Sequence, residues 1–180
     1  MTSTDSSAIG LRNAVAAFAK LQAFFDTDDW SARPNKDDPF CLVAAFEGRH
    51  GQTTVGARIV EDREWFRVLV LAPFYVPRES RQIVAEFISR ANYGLPFGAF
   101  EMDHADGELG YRWCINFAGS ELKEDDIGDV IFGCAGVMDE YLPGLMAVVY
   151  GDVEPEAAIR KIETPADVAP VAGRADDLPS

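Results

Sequence analysis

Basic side chains are scarce in this chain of 180 residues: 16 lysines and arginines stand against 30 aspartates and glutamates, a formal net charge of −14. A field of that sign repels phosphate backbones and anionic lipid, so neither nucleic acid nor a membrane is an expected partner. Histidine is scarcer still. His50 and His104 are the only two, each in or beside a turn. A nucleophilic triad needs a histidine set against a serine or cysteine, and no G-x-S-x-G elbow marks such a residue, so no catalytic residue is assigned and no enzyme is expected. Cys41, Cys114 and Cys134 lie far apart, without a C-x-x-C pair, each in an apolar run. They give no zinc cluster and read as buried thiols of a reducing cytosol. No run reaches the roughly 18 apolar residues of a membrane span. Met1 to Gly10 lacks the basic-then-apolar order of a secretory signal, and the expected location is the cytoplasm.

What is present suits a single globule: 48% hydrophobic and 26% charged residues. One domain is expected over 11–163. Residues 1–10, rich in Ser and Thr, and 164–180, rich in Pro, Ala, Asp and Gly, are expected to lack fixed structure. The first helix is placed at Leu11 to Phe25, with Leu11, Val15, Phe18, Leu21 and Phe25 along one face. The stretch Asp26 to Pro39 should be an exposed loop pinned by Trp30.

Three antiparallel strands follow, near Phe40–Glu47, Gln52–Val60 and Trp65–Ala72, joined by short links. Alternation of Val55, Ala57 and Ile59 with Thr54, Gly56 and Arg58 gives the sheet one buried and one largely wet side. Pro77 opens a second helix through Ile83, Val84, Phe87, Ile88 and Ala91, ending near Tyr93 and Gly94. A hairpin comes next, its two-residue turn at Asp106-Gly107. It puts Leu109, Tyr111, Trp113, Ile115 and Phe117 on one face and Arg112 and Asn116 on the other. Lys123 to Tyr150 reads as a long helix, whole or broken near Pro143, with Glu124, Asp125 and Asp126 at its positive end. Its apolar residues exceed one stripe, so a second cover is expected, with another subunit a candidate. A short helix is placed at Pro155 to Ile162. The fold class is therefore α+β, a five-stranded, mainly antiparallel sheet with helices on one face, in the order α-βββ-α-ββ-α.

Two further patterns invite chemistry and fail on spacing. From Asp103, an EF-hand loop would need oxygen ligands at Ala105 and Gly107 and a glutamate at Cys114, so Glu101, Asp103, Asp106 and Glu108 read as solvated turn carboxylates and no metal is assigned. Gly128, Gly133 and Gly136 follow no strand-to-helix turn and precede no Lys-Ser/Thr, so they read as points of close helix packing. No cofactor is expected.

Asn92, Gly98-x-Phe100, Asp106-Gly107 with Tyr111-Arg112, the acidic opening Glu124 to Asp126, and Asp139-x-Tyr141-x-Pro143 together resemble the bacterial YbjN family, over about Leu11 to Ile162. The resemblance implies a fold like that of type III secretion chaperones, small homodimers that hold extended polypeptides. It carries no catalytic residue across, and the family's names refer to regulation of sensory transduction. The leading expectation is a non-catalytic, chaperone-like or regulatory binding module that recognises another polypeptide as a homodimer. Ile131, Val137, Met138, Tyr141 and Leu145 are its candidate partner or dimer surface. The rival is a small-molecule sensor or undiscovered enzyme with a polar pocket around Asn92, Arg112 and Asn116. A scaffold subunit within a larger assembly is a third reading.

Overall fold

The computed structural model describes residues 3–27 and 30–164. The expected tail therefore falls, from residue 165, outside the described residues. Helix α1 spans Ser3–Thr27, so it begins well before Leu11, and the N-terminal segment expected to be irregular is helical from Ser3. Its buried stripe is Ala14, Ala17, Leu21 and Phe25, with Phe18 half-buried, while Val15 is 53% exposed. The small alanines let the helix lie close to the sheet and turn Val15 outward, which a pattern of large residues alone does not reveal.

Six strands form one open sheet, in the order β1-β2-β3-β4-β6-β5, every pairing antiparallel. They are β1 (Arg33–Pro34), β2 (Cys41–Glu47), β3 (Gln52–Val60), β4 (Trp65–Leu71), β5 (Ala99–Met102) and β6 (Leu109–Asn116). The unforeseen sixth is β1, two residues from the stretch expected to be a loop. A proline fits there because β1 is an edge and loses no ladder donor. Trp30 anchors the segment, packed against Phe25, Phe46 and Phe132. Register aligns Ala44, Val55, Val70, Tyr111 and Phe100 in one buried row across five strands.

Helix α2 (Arg81–Gly94), preceded by a 3-10 turn at Arg78–Ser80, buries Val84, Phe87 and Ala91. The β5–β6 connection is a six-residue loop between Met102 and Leu109, not a two-residue turn. The Gly107 N–H donates to Asp103 O at 2.8 Å, and of the expected pair only Gly107 has positive φ, +89°. Asp103 and Asp106 accept backbone N–H bonds from Ala105 and Glu108, closing Asx turns that tighten the loop.

Helix α3 (Glu124–Tyr150) runs unbroken through Pro143, and α4 (Pro155–Glu163) follows. By length and composition α3 could cross a membrane, yet half of its most apolar window is buried inside the fold. Its second cover is the chain's own: α1 and α2 flank it and α4 packs over it, with Ala158 and Ile159 buried. A Cβ on Gly144 would meet Ile162 Cδ1 at 2.5 Å, so that glycine is the floor on which α4 sits. Gly133 serves Trp113 in the same way at 3.0 Å, Gly128 makes only an ordinary contact, and nothing lies near Gly136.

Pro143 has no N–H for the carbonyl of Asp139, four residues earlier. That carbonyl instead lies 2.9 Å from His50 Nδ1, so His50 is not the simply solvated turn histidine expected. The Asp139 carboxylate accepts the backbone N–H groups of Arg49 and His50 at 3.0 and 2.8 Å. Asp139, with Pro143 freeing its carbonyl, is thus a clamp between α3 and the β2–β3 turn. Gly48 belongs to it, because any Cβ there would collide with the Asp139 side chain.

Candidate functional site

Ile131, Met138 and Leu145 are fully buried and Tyr141 nearly so. They pack into the chain's own core, so of the five residues expected on a partner surface only Val137 keeps partial exposure. Tyr141 lies against Phe87 and Phe100 and donates its hydroxyl to Glu163 Oε1 at 3.0 Å. Burial, with that carboxylate beside it, pushes the phenol well above its usual range. Cys134 is likewise pushed up to about 12 by burial.

The three polar residues expected to share a pocket lie apart. Asn92 Nδ2 donates to Phe100 O at 3.0 Å while its Oδ1 accepts the Phe100 N–H at 2.7 Å. One side chain thereby satisfies both outward backbone groups of Phe100 on edge strand β5, where another strand could otherwise pair. Arg112 stands on the opposite face of the sheet, 2.8 Å from Glu101. Asn116 accepts the Ala118 N–H at 2.8 Å in a turn after β6. The polar cluster that the small-molecule reading required does not form.

The sheet supplies a different surface. All four helices are on one side, and the other face carries no element among the described residues. Its central row is Val43, Gly56, Leu69 and Arg112, in register across β2, β3, β4 and β6. Trp65 and Leu71 share the face, half-buried, with the Arg63 guanidinium 5.1 Å above the Trp65 ring. The adjacent row is Cys41, Arg58, Arg67 and Cys114. Two arginines directly opposite on neighbouring strands repel. Asp38 Oδ2 lies 2.7 Å from Arg58 Nε, at an angle that makes an ion pair without a hydrogen bond. Arg67 has no ion pair among the described residues. Cys114, expected to be buried, is exposed here. Partial burial still lifts its pKa against the pull of Arg67 and Arg112, so it is no activated thiolate.

This face was legible in one place. Trp65 to Leu71 reads W-F-R-V-L-V-L, apolar at both parities, whereas a strand with one solvated side alternates cleanly.

The architecture defines the class: an α+β protein with, among the described residues, an open antiparallel sheet of six strands and four α-helices. The chain belongs to the YbjN family, whose model, described as "putative bacterial sensory transduction regulator", matches residues 18–146. The match ends inside α3, so it is narrower than the expected Leu11 to Ile162 and leaves out α4. That description fits a regulatory role better than a catalytic one. No curated protein matches the chain.

Proposed function

We propose that this chain is a non-catalytic, regulatory binding module of the cytoplasm that recognises another polypeptide in a chaperone-like way and acts as a homodimer. The uncovered sheet face carries the reading. It is apolar at Val43, Leu69 and Leu71 and hollowed over Gly56, with Asn35, Asp37 and Asp38 along one side of the hollow, which suits it to receive apolar side chains of a second surface. Its charges are paired toward the two sides, Asp38 with Arg58 and Glu101 with Arg112, and Arg67 stands between them in the row beside the apolar centre.

Magnitude sets the expected strength. Seven-residue strands are about 23 Å long and six strands span about 24 Å, so full overlap buries roughly 1,100 Å2 from both copies. That is the low end of specific interfaces, and the dimer should be concentration-dependent.

Light scattering coupled to gel filtration over a dilution series tests this. The wild type should pass from dimer to monomer, Leu69→Glu should be monomeric with unchanged circular dichroism, and Cys114 should react with a thiol reagent faster in the monomer. A wild type that is monomeric at every concentration, or a Leu69→Glu dimer as tight as the wild type, overturns the sheet-face dimer.

A further inference from the structure

Helix α3 has a groove on each flank. On the α2 side the chain fills it with α4, whose Ile162 rests over Gly144. On the α1 side the groove is open, about 820 Å3, with Phe24, Gly128 and Phe132 on its floor. Gly128 and Gly144 are 16 positions apart, so at about 100° per residue they face directions about 160° apart, nearly opposite flanks. The two grooves are therefore counterparts. The filled one shows what α3 accepts, a short amphipathic helix presenting small and branched apolar side chains to a glycine.

The open groove differs in charge. Asp125 and Asp129 stand on its α3 rim, one turn apart on one face. Glu124 to Asp126 complement the helix dipole, but Asp129 lies beyond the first turn, where that effect has faded. The one cation at the groove among the described residues, Lys20, is already held by Glu121 Oε1 at 2.6 Å and Leu122 O at 3.0 Å. The Asp125–Asp129 repulsion is thus left for something outside the described residues to relieve. Phe132 stays 46% exposed beside them.

We propose that the groove between α1 and α3 seats a short, basic, amphipathic helix of a partner polypeptide. Its apolar stripe lies over Phe24, Gly128 and Phe132, and its lysines or arginines reach Asp125 and Asp129. A second copy of this chain is a poor occupant, since it brings a net charge of −14 to a rim of carboxylates. The proposal rests on the reading of the protein as a polypeptide-binding module and deepens it by naming the site and the chemistry of the client.

Fluorescence anisotropy with the full chain tests it, using labelled 15-residue peptides: a Leu/Lys amphipathic helix, the same residues scrambled, and a Leu/Glu helix. The amphipathic Leu/Lys peptide should bind, and the paired exposed changes Asp125→Lys and Asp129→Lys should weaken it about tenfold or more. The Leu/Glu peptide should not bind, and amide shifts in NMR spectra should cluster around Phe24 and Phe132. Equal binding of the scrambled peptide means charge attraction alone and overturns the groove. Undiminished binding to the double variant also overturns it, while leaving polypeptide recognition in place. No binding of any peptide up to about 1 mM overturns the groove as well, and the dimer measurement above then judges the wider reading separately.

Discussion

Replacing Asp139 by alanine should loosen the junction between α3 and the β2–β3 turn. The carboxylate is 15% exposed and holds two backbone N–H groups, at Arg49 and His50. Hydrogen bonds to a charged acceptor contribute about 1.5–3 kcal/mol each when buried. These donors sit on an exposed turn where water replaces the lost partner, so about 1 kcal/mol each is the better figure, a total near 2 kcal/mol. For a protein of this size that lowers Tm by about 4–8 °C. Urea unfolding followed by circular dichroism measures it, with Glu140→Ala, one residue away and exposed, as the control expected to stay within about 0.5 kcal/mol. Asp139→Asn keeps one neutral acceptor and should cost about half as much. A loss below about 0.5 kcal/mol for Asp139→Ala would refute the clamp, because ordinary surface changes are that small.

Three other expectations follow from single contacts. Gly136→Ala should stabilise by about 0.5–1 kcal/mol, since the added methyl meets nothing within 4 Å and α3 loses a flexible residue; a destabilised variant in urea unfolding contradicts that environment. Gly107→Ala should destabilise by more than about 2 kcal/mol in the same assay, as its φ is +89° and its Cβ would lie 2.2 Å from Val76 O, and a neutral result would mean the loop is free to move. Tyr111, buried and donating its hydroxyl to Phe97 O, is pushed up to about 12 by desolvation, from an ordinary value of 10. Its contribution is fully present below pH 10 and is lost as the unfolded phenol ionises first between pH 10 and 12, so stability should fall over that window and tyrosinate absorbance should lag in the folded protein. A Tyr111→Phe variant with an unchanged pH profile counts against that assignment.

The order of elements needed no coordinates. Alternation and three-to-four spacing located β2 to β4, α3 and α4 to within a residue or two, because each element repeats its apolar period several times, whereas α2 begins at Arg81, four residues after the expected Pro77, with a 3-10 turn between them. The charge balance likewise belongs to the sequence alone. Features that rest on one or two residues were not legible: β1 has no period, and Val15 and Cys114 sit in patterns whose buried side is chosen by the neighbour they meet. Tertiary structure also decided which apolar surplus is core. The excess on α3 suggested another subunit, but α4 folds back over Gly144, and Tyr141, Met138 and Leu145 all end in the chain's own interior. Asn92, Arg112 and Asn116 looked like one polar cluster on a linear reading, yet the sheet sends them to an edge, a face and a turn. Pairing across strands at long sequence distance is set by the assembled sheet, and so is the face that remains open. The sequence determined a regular, acidic α+β chain; only the packing of its helices on one side of that sheet decided where a partner could touch it.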